Sequence, residues 1–197
     1  NFTPGFTYVS TVDRINYSND TATAAVKGPL TSVTAYASST GNASFGYVGG
    51  GRVPTGTSKV DRIDYSNDTA TAAAKGPLSI DKRSHAATST SSFAYFAGGN
   101  QGNTGPFYST IDRIDFANDT AATSPKGPLS SVRDSHAGAG NQSFGYFTAG
   151  DVESPTVSST DRLDYSNDTA TASPKGPLSE TNSNHAATGN ADFGYHC

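Results

Sequence analysis

The sequence predicts an all-β protein made of four consecutive repeats, each folding into four short antiparallel strands. Three observations carry that reading. One block of residues recurs four times at near-constant spacing, apolar side chains alternate with a period of two inside each block, and no stretch has helical periodicity. Composition agrees. Only 34% of the 197 residues are hydrophobic, and Ser, Thr, Ala, Gly and Asn fill the balance, which alone would lean towards disorder. Ten Tyr and ten Phe at regular intervals argue for a packed core instead.

The block begins Asp13-Arg14-Ile15-Asn16-Tyr17-Ser18-Asn19-Asp20-Thr21 and returns at Asp61, Asp112 and Asp161, separations of 48, 51 and 49 residues. Each copy runs on to Lys-Gly-Pro-Leu, ending at Leu30, Leu78, Leu129 and Leu178. Each then reaches a Phe-x-Tyr element at Phe45, Phe93, Phe144 and Phe193. A period near 49 is that of a propeller blade and too long for a leucine-rich or ankyrin unit. Taking the second copy in order, Val60–Tyr65 alternates, with Ile63 and Tyr65 on one face and Arg62 and Asp64 on the other. Ser66-Asn67-Asp68 is a turn, because Asn and Asp bond their own backbone. Thr69–Ala72 is expected to be a short strand, ended by Lys75-Gly76-Pro77, since proline cannot donate to a central ladder. His85–Thr88 and Ser92–Ala97 supply two more strands, closed by Gly98-Gly99.

The expected fold is therefore a single four-bladed β-propeller domain over residues 1–197, with units at approximately 1–50, 51–99, 100–150 and 151–197. The ends are unequal. Residues 1–30 hold an outer strand pair, while residues 183–197 hold an inner pair that stops at Tyr195-His196-Cys197. A ring closed by pairing the N-terminal outer strands with the C-terminal inner strands follows, and it would remove exposed sheet edges. An open or intermolecular array is the rival arrangement.

Two stretches resemble the kelch family: Phe93-Ala94-Tyr95-Phe96-Ala97-Gly98-Gly99, an apolar strand ending in a double glycine, and Ile111-Asp112-Arg113-Ile114-Asp115, an acidic-Arg strand. The likeness spans the whole chain and implies a four-stranded antiparallel blade. The sequence departs from it in carrying Ala70 or Ala121 at the tryptophan position, Ile or Leu at the tyrosine position, and Ala149-Gly150 for the third double glycine. The near-identical units also resemble repetitive tail-fibre-like structural proteins of aquatic phages and other viruses. That likeness implies an extracellular or virion-surface location.

Seventeen acidic against 13 basic residues, net −4, provide no basic field for nucleic acid. No apolar run approaches the ~20 residues of a membrane helix. The only cysteine, Cys197, is terminal, so no internal disulfide is expected, though the thiol could pair with another chain. The chain has no Met, even at position 1, which suggests a processed product or a fragment.

His85, His136 and His185 lie seven residues after Leu78, Leu129 and Leu178 respectively, where the first unit has Ala37. Converging on a central channel they could hold a transition metal; otherwise each bonds a neighbouring blade or faces channel water. The Asp-Arg-x-Asp blocks (Asp61/Arg62/Asp64 and copies) read as repeated ion pairs, between or within blades. Asp61, on the Ile63 side, needs backbone donors if buried. Four near-identical copies lack the asymmetry of a catalytic dyad. Asn-Asp-Thr, at Asn19, Asn67, Asn118 and Asn167, is a potential glycosylation acceptor or simply turn chemistry; further triplets begin at Asn1, Asn16, Asn42 and Asn141. Gly51–Ser58, Asn100–Ser109 and Asp151–Ser158 vary while the blades barely change, and Tyr8, Phe107 and Tyr108 offer aromatic contacts for a glycan or protein partner. The sequence thus suggests a non-enzymatic binding or structural module with no resident cofactor. A self-assembling fibre subunit and a metal-dependent enzyme using the histidine ring are the alternatives.

Overall fold

A computed structural model describes residues 8–53, 55–102 and 105–197. Among them, eighteen strands follow in order: β1 (Val12–Arg14), β2 (Ala25–Lys27), β3 (Ser38–Gly41), β4 (Phe45–Gly49), β5 (Arg52–Val53), β6 (Thr55–Gly56), β7 (Val60–Asp64), β8 (Ala73–Lys75), β9 (Ala86–Ser89), β10 (Phe93–Ala97), β11 (Ile111–Asp115), β12 (Ser124–Lys126), β13 (Ala137–Gly140), β14 (Phe144–Thr148), β15 (Thr160–Asp164), β16 (Ser173–Lys175), β17 (Ala187–Gly189) and β18 (Gly194–His196). Three sheets are complete four-stranded antiparallel blades: β3-β4-β7-β8 (blade A), β9-β10-β11-β12 (blade B) and β13-β14-β15-β16 (blade C). The small β5-β6 hairpin sits in the loop of blade A. No described helix is long and apolar enough to cross a membrane.

Register is the same in every blade. Tyr47 lies opposite Arg62, Tyr95 opposite Arg113, and Tyr146 opposite Arg162. The guanidinium stacks on the Phe two residues before that tyrosine, 4.3 Å above Phe45, 4.4 Å above Phe93 and 4.2 Å above Phe144. The core lies between blades. Tyr47, Val60, Leu78, Phe96 and Ile114 fill the seam from A to B. Tyr95, Ile111, Leu129, Phe147 and Leu163 fill the seam from B to C. The innermost strands β3, β9, β13 and β17 are successive neighbours around the inside of the arc.

The outermost strand falls at Ala73–Lys75, not at Thr69–Ala72. Asp64 caps a 3-10 turn, Tyr65–Asn67, by accepting from Ser66 N, and Ala70 N then donates to Asn67 O, so turn chemistry occupies the expected strand. Pro125 and Pro174 lie within the equivalent strands β12 and β16, which tolerate them as edges.

Ring closure is the main correction. The β1-β2 pair and the β17-β18 pair form separate two-stranded sheets, and neither joins the other. Each half-blade is held instead by its nearest full blade: β17 packs on β13, and β1-β2 is fastened to blade A. The described chain is an arc of three full blades between two half-blades.

Candidate functional site

Three seams, from the N-terminal half-blade through blade C, are each fastened by one aspartate, and the sequence places it in the Asn-Asp-Thr turn. Asp119 of blade B accepts from Tyr47 Oη (2.8 Å) and Arg62 Nη1 (2.8 Å) of blade A and pairs with Lys75 Nζ at 3.0 Å. Asp168 of blade C receives Tyr95 (3.1 Å), Arg113 (2.8 Å) and Lys126 (3.6 Å) of blade B in the same way. Asp68 of blade A receives Arg14 (2.7 Å) and Lys27 (3.2 Å) of the N-terminal half-blade. Burial works to raise the Asp119 carboxyl, but hydrogen bonds from Tyr47 and Lys75 and the nearby cations outweigh it and hold the group below the usual range. Burial and the bond to Asp119 push the Tyr47 phenol well above its ordinary value. Arg62 therefore pairs across the seam with a turn carboxylate, not with Asp64, which is spent capping its own turn.

Backbone contacts complete each seam. Gly28, Gly76 and Gly127 N–H groups donate to the carbonyls of Asp68, Asp119 and Asp168 at 2.8, 2.9 and 2.8 Å. Ala72, Thr123 and Ala172 donate in turn to the carbonyls of Pro29, Pro77 and Pro128. The approach is so close that a Cβ on Gly28, Gly76 or Gly127 would stand 1.8, 1.7 or 1.9 Å from a carbonyl oxygen of the next blade, which explains the glycine of Lys-Gly-Pro-Leu. Asp61, Asp112 and Asp161, all buried, accept from the N–H of Thr31, Ser79 and Ser130 of the preceding unit, the backbone donors that a buried Asp61 requires. Lys82 and Arg133, both fully buried, neutralise Asp112 and Asp161 at 3.0 and 3.4 Å.

His85 and His136 are wedges in these seams. His85 of blade B packs against Gly50 of blade A, and His136 of blade C against Gly98 of blade B; a Cβ on either glycine would fall 2.5 or 2.7 Å from the imidazole Cε1. Both glycines also have positive φ, 62° and 65°, so the double-glycine motif is set by the neighbour's histidine as well as by the turn. Burial, then the charge of Lys82, pushes His85 well below its usual pKa. Burial and the charges of Arg133 and Lys82 push His136 down to about 3. His185 faces Thr148 Oγ1 at 3.2 Å, which also contacts His196 Nδ1 at 2.8 Å. The structure does not gather His85, His136 and His185 into a metal site: among the described residues no group of three or more His, Cys, Asp or Glu is placed to hold an ion.

The variable loops leave from one register. Their roots pair with the preceding turn as Ala35 with Arg52, Arg83 with Asn100, and Asp134 with Asp151. Arg83 Nε donates to Asn100 Oδ1 at 3.0 Å, Asn100 Nδ2 donates to Asp134, and Thr156 donates to Asp151. Burial and the Asp151 charge push Asp134 up to about 6. Beside this row Tyr36, Ser84, Ser135 and Asn184 all adopt positive φ and pass a backbone hydrogen bond from blade to blade: Ser84 N to Tyr36 O, Ser135 N to Ser84 O, Asn184 N to Ser135 O. Tyr36 is exposed with Arg83 over its ring, 5.4 Å from the centroid. The sequence signal for Tyr36 was available: it stands where the later units have Ser or Asn before histidine.

Tyr8, Phe107 and Tyr108 are half-buried, not exposed. Tyr108 is tied into the frame, its N–H on Gly99 O and its carbonyl accepting from Arg133 N. Asn19, Asn67, Asn118 and Asn167 are all exposed on the rim turns. Asn42 and Asn141 are engaged, their side chains accepting two hairpin N–H groups each, and Asn16 accepts from Ser18; Asn1 lies outside the described residues.

Comparison with known protein families and with curated proteins finds no match. Among solved structures, YjhT overlays with a TM-score of 0.71 at 12% identity, covering 93% of this chain and 70% of that one. At that identity the likeness speaks for architecture alone, and with repeated four-stranded antiparallel sheets it shows that the chain has a propeller-like fold.

Proposed function

We propose that the protein is a non-enzymatic structural and binding module, kelch-like in its blades, that presents variable loops from a rigid frame to a glycan or protein surface outside the cell or on a virion. The observation that carries this reading is the contrast at the loop roots. The seams repeat the same aspartate, arginine, lysine and glycine, whereas one neighbouring register changes from Arg52 to Arg83 and Asn100 to Asp134 and Asp151. A frame that repeats beneath a face that does not is the arrangement of a recognition scaffold. The face runs from a basic side, where Tyr36 offers an aromatic surface, to an acidic side. Repetition of the seam carboxylates, each already paired with cations, supports a structural role for them.

Screening purified protein against immobilised glycans and candidate surface proteins tests the reading. A ligand bound by the wild type and lost in Tyr36→Ala, with melting unchanged, is the expected result. Absence of any ligand, or a ligand indifferent to Tyr36 and to the loop roots, would sink it.

A further inference from the structure

The variable loops enter on short ladders whose opposed residues differ in charge. At the first root Ala35 faces Arg52. At the second Arg83 faces Asn100, which in turn faces Phe107; at the third Asp134 faces Asp151, which in turn faces Thr156. Asp134 N donates to Asp151 O and Asp151 N to Asp134 O, both at 3.0 Å. Two carboxylates held directly opposite each other on adjacent strands repel. The other two roots carry no such pair among the described residues. Asp134 is 5% exposed, so little water screens that repulsion.

Side chains link the second ladder to the third. Arg83 Nε donates to Asn100 Oδ1 at 3.0 Å, which turns the amide nitrogen towards Asp134, and Asn100 Nδ2 donates to Asp134 Oδ2. From the far side Thr156 Oγ1 donates to Asp151 Oδ1 at 2.6 Å. The row reads arginine, amide, carboxylate, carboxylate, hydroxyl. Donors feed in from both ends and only acceptors meet in the middle, so the missing link is one proton. The charged groups whose fields act on Asp134 are Asp151, which raises its pKa, and Arg83, which lowers it. Lys82 and Arg133 are spent on Asp112 and Asp161. Burial and Asp151 prevail, and the Asp134 carboxyl is pushed up to about 6.

We propose that Asp134 and Asp151 form a proton-operated latch joining the roots of the 100–109 and 151–158 loops. One solvent proton taken up by the Asp134 carboxylate supplies the O–H that donates to Asp151, and the row is then continuous from Arg83 to Thr156. When the proton returns to solvent, two carboxylates face each other and the root of 151–158 opens more often. The latch closes as the pH falls through about 6 and loosens above it. That direction follows from a folded pKa above the unfolded value of about 3.9: between those limits the folded chain binds the extra proton, so this pair gains stability as the pH falls. The latch is a property of the roots and stands whether or not the loop face has a ligand.

Hydrogen exchange followed residue by residue in the full chain tests it, because global melting also carries the opposite acid response of His136. The amides to watch are Asp151, bonded to Asp134 O, and Val157, bonded to Gly150 O at 2.9 Å. Divided by the intrinsic exchange rate at each pH, their opening should rise about tenfold between about pH 5 and about pH 7. The Thr57 amide, bonded to Gly51 O at 3.0 Å beside the Ala35–Arg52 root, should show no step. Asp134→Asn carries a permanent N–H donor towards Asp151 and should hold both amides at their slow, low-pH rate throughout. Asp151→Asn removes the opposing charge, so the Asp134 carboxyl-carbon NMR shift should titrate below about pH 5 in that variant, against about 6 in the wild type. A wild type whose Asp134 titrates in the ordinary carboxylate range, a step that survives in Asp134→Asn, or a step shared equally by Thr57 would each overturn the inference. Should Asp134→Asn not fold, the wild-type titration and Asp151→Asn decide it.

Discussion

The seam between blades B and C and the free face of blade C are built from the same residues with opposite outcomes. At the closed seam Asp168 gathers Tyr95, Arg113 and Lys126, Gly127 fits a space that admits no side chain, and Leu129 is 2% exposed. At the free face the equivalent Tyr146, Arg162 and Lys175 have no acid among the described residues, Gly176 has open space, and Leu178 is half-buried. The difference teaches that a blade is not a self-sufficient unit. Its sheet forms by local pairing, but its core and its charges are completed only by the blade that follows, as in other repeat arrays.

Breaking one residue at both places measures that dependence, and the largest effect is expected from the aspartates. Asp168→Ala should cost about 3–5 kcal/mol of unfolding free energy, because two cations and a phenol lose a partly buried carboxylate. Asp20→Ala should stay within about 0.5 kcal/mol. Urea denaturation of both variants makes the comparison; equal losses would show that the seam carboxylate is not what couples the blades. Gly127→Val comes next. Forcing a side chain to within 1.9 Å of the Ala170 carbonyl should cost about 1–3 kcal/mol or more, seen as a lower melting temperature, against none for Gly176→Val.

Acid sharpens the contrast in a smaller step. The folded pKa of His136, pushed down to about 3, lies below the unfolded value of about 6.5. The unfolded chain therefore binds the extra proton between those limits. Stability is complete above about pH 6.5 and declines as the pH falls, by about 1.4 kcal/mol per pH unit for this histidine. His136→Gln should flatten the fall in urea midpoint between about pH 6 and about pH 5, the window just below the unfolded value. His185→Gln, at the incomplete end, should flatten it less.

Much of the frame was legible in the sequence. The period of two in Val60–Asp64 and Phe93–Ala97 located the two middle strands of a blade, and the unequal ends foretold two half-blades. The need of a buried Asp61 for backbone donors also follows from its face alone. Other features depend on the approach of a second unit, which periodicity does not report. Arg62 could be set against Asp64 from spacing, whereas its partner lies 57 residues away in the next turn. The histidine register was plain, but His85 and His136 are set against a glycine of the preceding blade, and a channel-facing metal ring fits the same spacing. The outer strand slipped towards Lys75 because Asn67 extends the turn by one further hydrogen bond. Phe107 and Tyr108 stand out in the sequence by aromatic character alone, and only packing reveals that both are half-buried and that the backbone of Tyr108 is tied into the frame.

The glycine of Lys-Gly-Pro-Leu has a last consequence. Because each seam joins equivalent parts, with Gly28, Gly76 and Gly127 meeting the same carbonyl position of the next unit, one blade can stand in for another along the array. Removing the period from Asp61 to Ile111 would place Lys27-Gly28 against the turn at Asp119 with no new chemistry required. Length is thus a free variable of this architecture: duplication or loss of a whole period by recombination changes the reach of the arc and the number of loops it carries, while the seam glycine has no room for a side chain.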